Sequence, residues 1–146
     1  MRKIVIAGFL LFVGVSSLSA QEWLTDFEEA KKLASEKNKT IVLVFAGSDW
    51  CAPCIKLEKQ ILESQEFQKY AKDNYVLIKA DFPRKKKNQL PEALQTQNKK
   101  LAETYNKSGG FPLVVLLDNT GKKLGETGYK KVTPNSYLGI LNKMIK

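Results

Sequence analysis

Apolar residues in this chain recur in two patterns, short unbroken runs and stretches with helical spacing. Thr40 to Phe45 is a β-branched run without polar alternation, which predicts a strand buried on both faces of a sheet. Tyr75 to Ala80, Leu113 to Leu117 and Lys123 to Thr127 predict three more strands, the last two joined by the turn Asp118-Asn119-Thr120-Gly121. Between them, Phe27, Ala30, Lys31 and Ala34 keep helical spacing until Asn38. Thr25-Asp26-Phe27-Glu28 reads as a capping box with Thr25 as the cap, so a first helix is expected to start there. Ile55, Leu57, Glu58, Ile61 and Leu62 predict a second helix. Further helices are expected from Ser64 to about Lys72, from Glu92 to Tyr105, and from Pro134 through Tyr137, Leu138, Leu141 and Ile145. A right-handed crossover would make the first two strands a parallel pair, and the hairpin would add an antiparallel edge. The expected architecture is α/β, one mixed central sheet flanked by helices.

The first twenty residues do not fit that scheme. Arg2 and Lys3 precede an apolar run from Ile4 to Val15, and Ser17-Leu18-Ser19-Ala20 offers small residues before Gln21, the three regions of an export signal. The expected organisation is a signal peptide over 1–20 and one domain over 21–146, exported to a periplasm or outside the cell. An uncleaved signal anchor is the alternative. The apolar run is shorter than the roughly 20 residues a spanning helix needs. A domain of this length buries enough surface to stand without a metal or disulfide staple.

The formal net charge is +9, of which Arg2 and Lys3 supply two. The densest basic run is Arg84-Lys85-Lys86-Lys87, followed by a doublet at Lys99-Lys100. Such a run reads first as a solvated loop, and alternatively as a docking patch for acidic partners or an anionic membrane surface. Nothing resembles a nucleic-acid motif, so no nucleic-acid partner is expected.

The chain has two cysteines and no histidine, and the cysteines stand two residues apart, at Cys51 and Cys54. Pro53 fits the first turn of a helix, where amides have no intrahelical acceptor, so the motif is expected at a helix N-terminus after the first strand. There the unpaired amides and the positive end of the dipole stabilise a thiolate at Cys51, the form that attacks a disulfide. Cys54, one turn on, would resolve the mixed disulfide and is expected to be the less exposed of the two. A structural zinc site wants four nitrogen or sulfur ligands, and two sulfurs without an imidazole do not supply them. A structural bridge closing so small a loop removes little unfolded-chain entropy. Redox chemistry is therefore the favoured reading, with a structural bridge and a metal site behind it. Without histidine, papain-like and serine-triad catalysis are excluded.

Trp50-Cys51-Ala52-Pro53-Cys54 at a strand-to-helix junction, with Gly110-Phe111-Pro112 before a hairpin and a closing helix, resembles the thioredoxin superfamily. The likeness spans nearly all of the chain after Ala20, and the Phe45 to Trp50 approach resembles its exported branch. The resemblance implies a thioredoxin-like fold and a thiol-disulfide oxidoreductase acting on protein thiols or disulfides. It implies that Pro112 is a cis-proline facing the cysteines, that Phe111 offers its backbone to an extended substrate, and that Trp50 shields the thiol and touches substrate. Ala52-Pro53, which places no donor between the cysteines, favours a reductase or isomerase, a reductase then needing a membrane thiol donor; without histidine, a phosphate-binding glycine loop or further cysteines no cofactor is expected, and a monomer is expected. A redox-inert binding module using Trp50, Phe111 and Pro112 is the alternative.

The sequence departs from the family at two points. The strand before the motif, Ile41-Val42-Leu43-Val44-Phe45, lacks the family's buried acid. Glu58 and Asp49 are the candidates to replace it, although both read first as solvent-facing charges. Ala52 stands where the most reducing members carry glycine, so their potential does not transfer.

Overall fold

The computed structural model describes residues 21–146, so the expected signal peptide lies outside the described residues. Four strands, β1 (Thr40–Ala46), β2 (Tyr75–Asp81), β3 (Leu113–Leu117) and β4 (Lys123–Thr127), form one sheet in the order β2-β1-β3-β4. β1 runs parallel to β2, with Val44 opposite Lys79, and antiparallel to β3, which forms the hairpin with β4. Five α-helices accompany them: α1 (Phe27–Lys37), α2 (Ala52–Leu57), α3 (Gln65–Asn74), α4 (Glu92–Tyr105) and α5 (Pro134–Lys143). The mixed sheet with its one parallel pair is the architecture expected from the sequence.

The unbroken apolar character of β1 has its cause in two cores. Ile41, Leu43 and Phe45 point to the side where α1 supplies Ala30 and Ala34 and α4 supplies Leu101. Val42, Val44 and Ala46 point to the other, among Cys54 and Leu57 of α2, Phe67 of α3 and Tyr137 and Leu141 of α5. A strand sandwiched in this way has no solvated face on which a polar residue could alternate.

Beyond shifts of a residue or two at strand and helix ends, two departures from expectation have a visible cause. The cap of α1 is Asp26, whose carboxylate accepts from the Glu29 amide at 2.8 Å, rather than Thr25. Gln97 of α4 decides the shift: it accepts from the Phe27 amide and donates to the Thr25 carbonyl, holding both in the approach to the helix. After Leu57 the second helix continues as a π-helical turn, Glu58–Leu62, that buries Ile61 and Leu62 together. Helical periodicity of 3.6 residues cannot announce such a widened turn.

Candidate functional site

β1 ends at Ala46, and the chain turns through Gly47 before entering α2. A Cβ on Gly47 would lie 2.3 Å from Cε2 of Trp50, so glycine is what lets the indole fold back over its own loop. Cys51 is the N-cap of α2, and its sulfur accepts from the Cys54 amide at 3.3 Å. Cys51 and Cys54 are joined by a disulfide, with S–S 2.07 Å and Cα–Cα 5.2 Å. The two cysteines are almost equally buried, 4% and 5% exposed, whereas Cys54 was expected to lie deeper. Trp50 and Phe111 both lie against the hydrophobic cluster that contains the pair. What separates the two is the cap, since the Sγ of Cys51 receives a helix-end amide that favours its anionic form.

The Phe111–Pro112 bond is cis, and Pro112 is buried at the entrance to β3. The buried Asn106 shapes the approach, its side-chain amide donating to the Gly110 carbonyl at 2.9 Å. Phe111 meets Trp50 edge-on at 5.6 Å between centroids and Phe82 at 5.4 Å. Phe111 thus links Trp50, which packs on the cluster holding the dithiol, to Phe82, which packs on the core of the other face of the sheet.

The segment after β2 is built into these contacts. Trp50 Nε1 donates to the Phe82 carbonyl at 2.8 Å, and the Arg84 guanidinium lies 3.7 Å from the centroid of the same indole. Asp49, read from sequence as a solvent-facing charge, also clamps the segment: Oδ1 accepts the Arg84 amide at 2.9 Å, and Oδ2 accepts the Lys85 amide at 2.9 Å and the Asn88 side chain at 3.0 Å. The Arg84 amide, against an opposing cost of desolvation and with the Asn88 and Lys85 donors behind it, holds the Asp49 carboxyl below the ordinary aspartate range. Ser48 adds a second fastening, its amide donating to Asp81 at 2.9 Å.

A carboxylate with a lowered pKa stays ionised to lower pH than a free aspartate, so the clamp is complete at neutral pH and opens only as pH falls through that lowered value. In Asp49→Ala the clamp is absent at every pH. Hydrogen exchange at the Arg84 and Lys85 amides is expected to accelerate about tenfold or more in that variant, the loss of a charge-assisted hydrogen bond. Unchanged protection would show that the indole and the Asp81 contacts alone hold the segment.

The family acid on β1 is absent, and Val42, Val44 and Ala46 fill that face. Glu58, also read as solvent-facing, pairs with Lys79 of β2, the residue in register with Val44. The two side chains are 32% and 20% exposed, and Lys79 Nζ also lies 5.2 Å from the Trp23 ring. An ion pair reaching in from the π-helical turn and β2 therefore stands on the side of the sheet that carries the dithiol. Nothing in the local sequence announces it, because the partners are 21 residues apart.

A buried cysteine pair whose first sulfur takes a helix-end amide is a site for accepting and passing on a disulfide, and the protein class is thiol-disulfide oxidoreductase. Comparison with known proteins makes the assignment specific. Residues 22–119 match the family model described as thioredoxin-like. The chain is 36% identical over 120 residues to the disulfide bond reductase DsbH of Chlamydia pneumoniae, covering 82% of this chain and 70% of that one. It is 30% identical over 132 residues to the thioredoxin-related protein DsbJ of the same organism, covering 85% of this chain but 37% of DsbJ. A solved structure of a DsbH oxidoreductase superposes with a TM-score of 0.81 at 31% identity, covering 96% of this chain and 94% of that one. The chain belongs to the thioredoxin-like family.

Proposed function

We propose that this protein is a disulfide reductase of exported proteins, with Cys51 as the attacking and Cys54 as the resolving thiol. The observation that carries the reading is the Cys51–Cys54 disulfide at the start of α2, with the Cys54 amide donated to the Cys51 sulfur. In the reduced protein the Cys51 thiolate attacks a substrate disulfide. That S–S bond breaks, one substrate sulfur leaves as a thiolate, and a mixed disulfide forms. The Cys54 thiolate then attacks Cys51 Sγ and displaces the second substrate sulfur. Two electrons and two protons have passed to the substrate, and the protein is left with its own disulfide, to be reduced again by a thiol donor. Trp50, Phe111 and Pro112 form the surface against which the substrate chain lies, with the Phe111 backbone free to pair with an extended segment. Cys54 must lose a proton to attack, and the Glu58–Lys79 ion pair stands on its side of the sheet.

The reducing direction is supported by the likeness to a disulfide bond reductase, and by Ala52-Pro53, which places no donor between the cysteines to overstabilise the thiolate. Export is supported by the charged, apolar and small-residue regions that precede Gln21. Equilibration of the 21–146 protein against dithiothreitol and glutathione tests the direction. A reductase is expected to have a potential below about −200 mV, near the thioredoxin value of about −270 mV, whereas a value near about −120 mV would make the protein an oxidant.

A further inference from the structure

The basic run singled out in the sequence is neither remote from the dithiol nor loosely attached to it. Between Asp81 and Glu92 the chain carries Arg84, Lys85, Lys86 and Lys87 and no carboxylate. Asp49, two residues before Cys51, holds the amides of Arg84 and Lys85, and Arg84 lies on the face of Trp50, the residue next to Cys51. A 3₁₀ turn over Lys86–Asn88 closes the segment, with the Asn88 amide donating to the Lys85 carbonyl at 2.9 Å. The four basic side chains are exposed. Of the carboxylates on neighbouring elements, Asp49 touches the strap, Asp81 accepts from Ser48 and Glu58 pairs with Lys79. Glu92 lines the groove on the far side of the segment, where Lys99 lies with it. The strap thus sets four positive charges against the single carboxylate that touches it, Asp49, and its backbone is fixed at the rim of the dithiol.

Resting on the exchange reading above, we propose that the Arg84–Lys87 strap selects protein partners that carry Asp or Glu within a few residues of the reacting cysteine. An extended segment advances about 3.3 Å per residue, so acids two to four residues from a cysteine seated at Cys51 fall on a strap lying one indole away. A protein segment fits better than an anionic bilayer. The cations stand beside the aromatic wall of Trp50 and Phe111, and a membrane laid on them would cover the sulfur that a partner must reach. Opposite charge at such a rim acts chiefly on the rate of encounter and is screened by salt.

The test compares the second-order rate of disulfide exchange with three short peptide disulfides that differ only in flanking residues, acidic, neutral or basic. At low salt the acidic peptide is expected to react about tenfold faster than the neutral one and the basic peptide more slowly, with the differences falling below about twofold near 0.5 M salt. The triple variant Lys85→Gln, Lys86→Gln, Lys87→Gln should remove most of the preference. A variant of equal charge change at the opposite end of the sheet, Lys32→Gln, Lys37→Gln, Lys72→Gln, should retain it. Equal loss in both variants would overturn the proposal in favour of overall charge, and equal rates for all peptides would overturn it outright. Binding to phosphatidylglycerol vesicles that depends on the strap, with no peptide preference, would assign the strap to membranes instead. If the wild-type protein exchanges with no peptide, the exchange reading fails separately. Fluorescence anisotropy of the same peptides with serine for cysteine then decides the strap, with preferential binding of the acidic peptide expected and equal binding overturning it.

Discussion

Replacing Cys51 by serine is expected to abolish disulfide exchange, with a loss of at least about a thousandfold in rate, because an alcohol is far weaker as nucleophile and as leaving group than a thiol. The fold should survive the change. Cys51 caps α2 by accepting the Cys54 amide, and serine is among the preferred residues for that position. Circular dichroism of Cys51→Ser should therefore match the parent while turnover of a protein disulfide disappears. The companion variant Cys54→Ser retains the attacking thiol and loses the resolving one, so it should accumulate a covalent complex with substrate that mass spectrometry detects and dithiothreitol releases. If Cys51→Ser retained exchange, or if Cys51 rather than Cys54 were the residue whose loss traps substrate, the assignment of roles would be reversed.

The second large effect is expected in the core. Phe45 is fully buried near the end of β1, in the cluster shared with α1 and α4, and Phe82, Phe111 and Leu113 pack against that cluster. Phe45→Ala should cost about 3–5 kcal/mol, the lost transfer energy together with the cavity left behind. For a domain of this size that corresponds to a fall in melting temperature of roughly 10–20 °C. Denaturant unfolding should show a lower midpoint with little change in slope. A loss below about 1 kcal/mol would mean that the aromatic wall collapses into the space, and the exchange rate would then change with it.

The parts of this architecture that were legible in the sequence are those decided by neighbours along the chain. β3, β4 and α4 begin and end where the apolar runs and breakers place them, since Gly109, Gly110 and Gly121 interrupt the pattern sharply. The position of Cys51 at a helix start followed from Pro53 and the apolar spacing after it. The Phe111–Pro112 geometry came from the family resemblance, because no local rule distinguishes this proline from a trans one. The contacts of Asp49 and Glu58 were not legible because their partners, Arg84 and Lys79, lie 35 and 21 residues away and only the return of β2 beside β1 brings them close. The basic run showed its composition but not its place, for the same reason.

The residues just after Ala20 have a further consequence. Leu24 forms an isolated parallel bridge to Ile78, its amide donating to the Leu77 carbonyl at 2.9 Å while its own carbonyl accepts from Lys79 at 3.1 Å. Gln21 donates through its side chain to the Tyr75 carbonyl at 2.7 Å. β2 is an outer strand of the sheet, and an outer strand left bare is a template on which a second chain can add and start an aggregate. Here the chain's own leading residues occupy those hydrogen-bonding groups. Trimming the domain back to α1 to obtain a tidier fragment would uncover that strand, so preparations for the redox measurements should begin no later than Gln21.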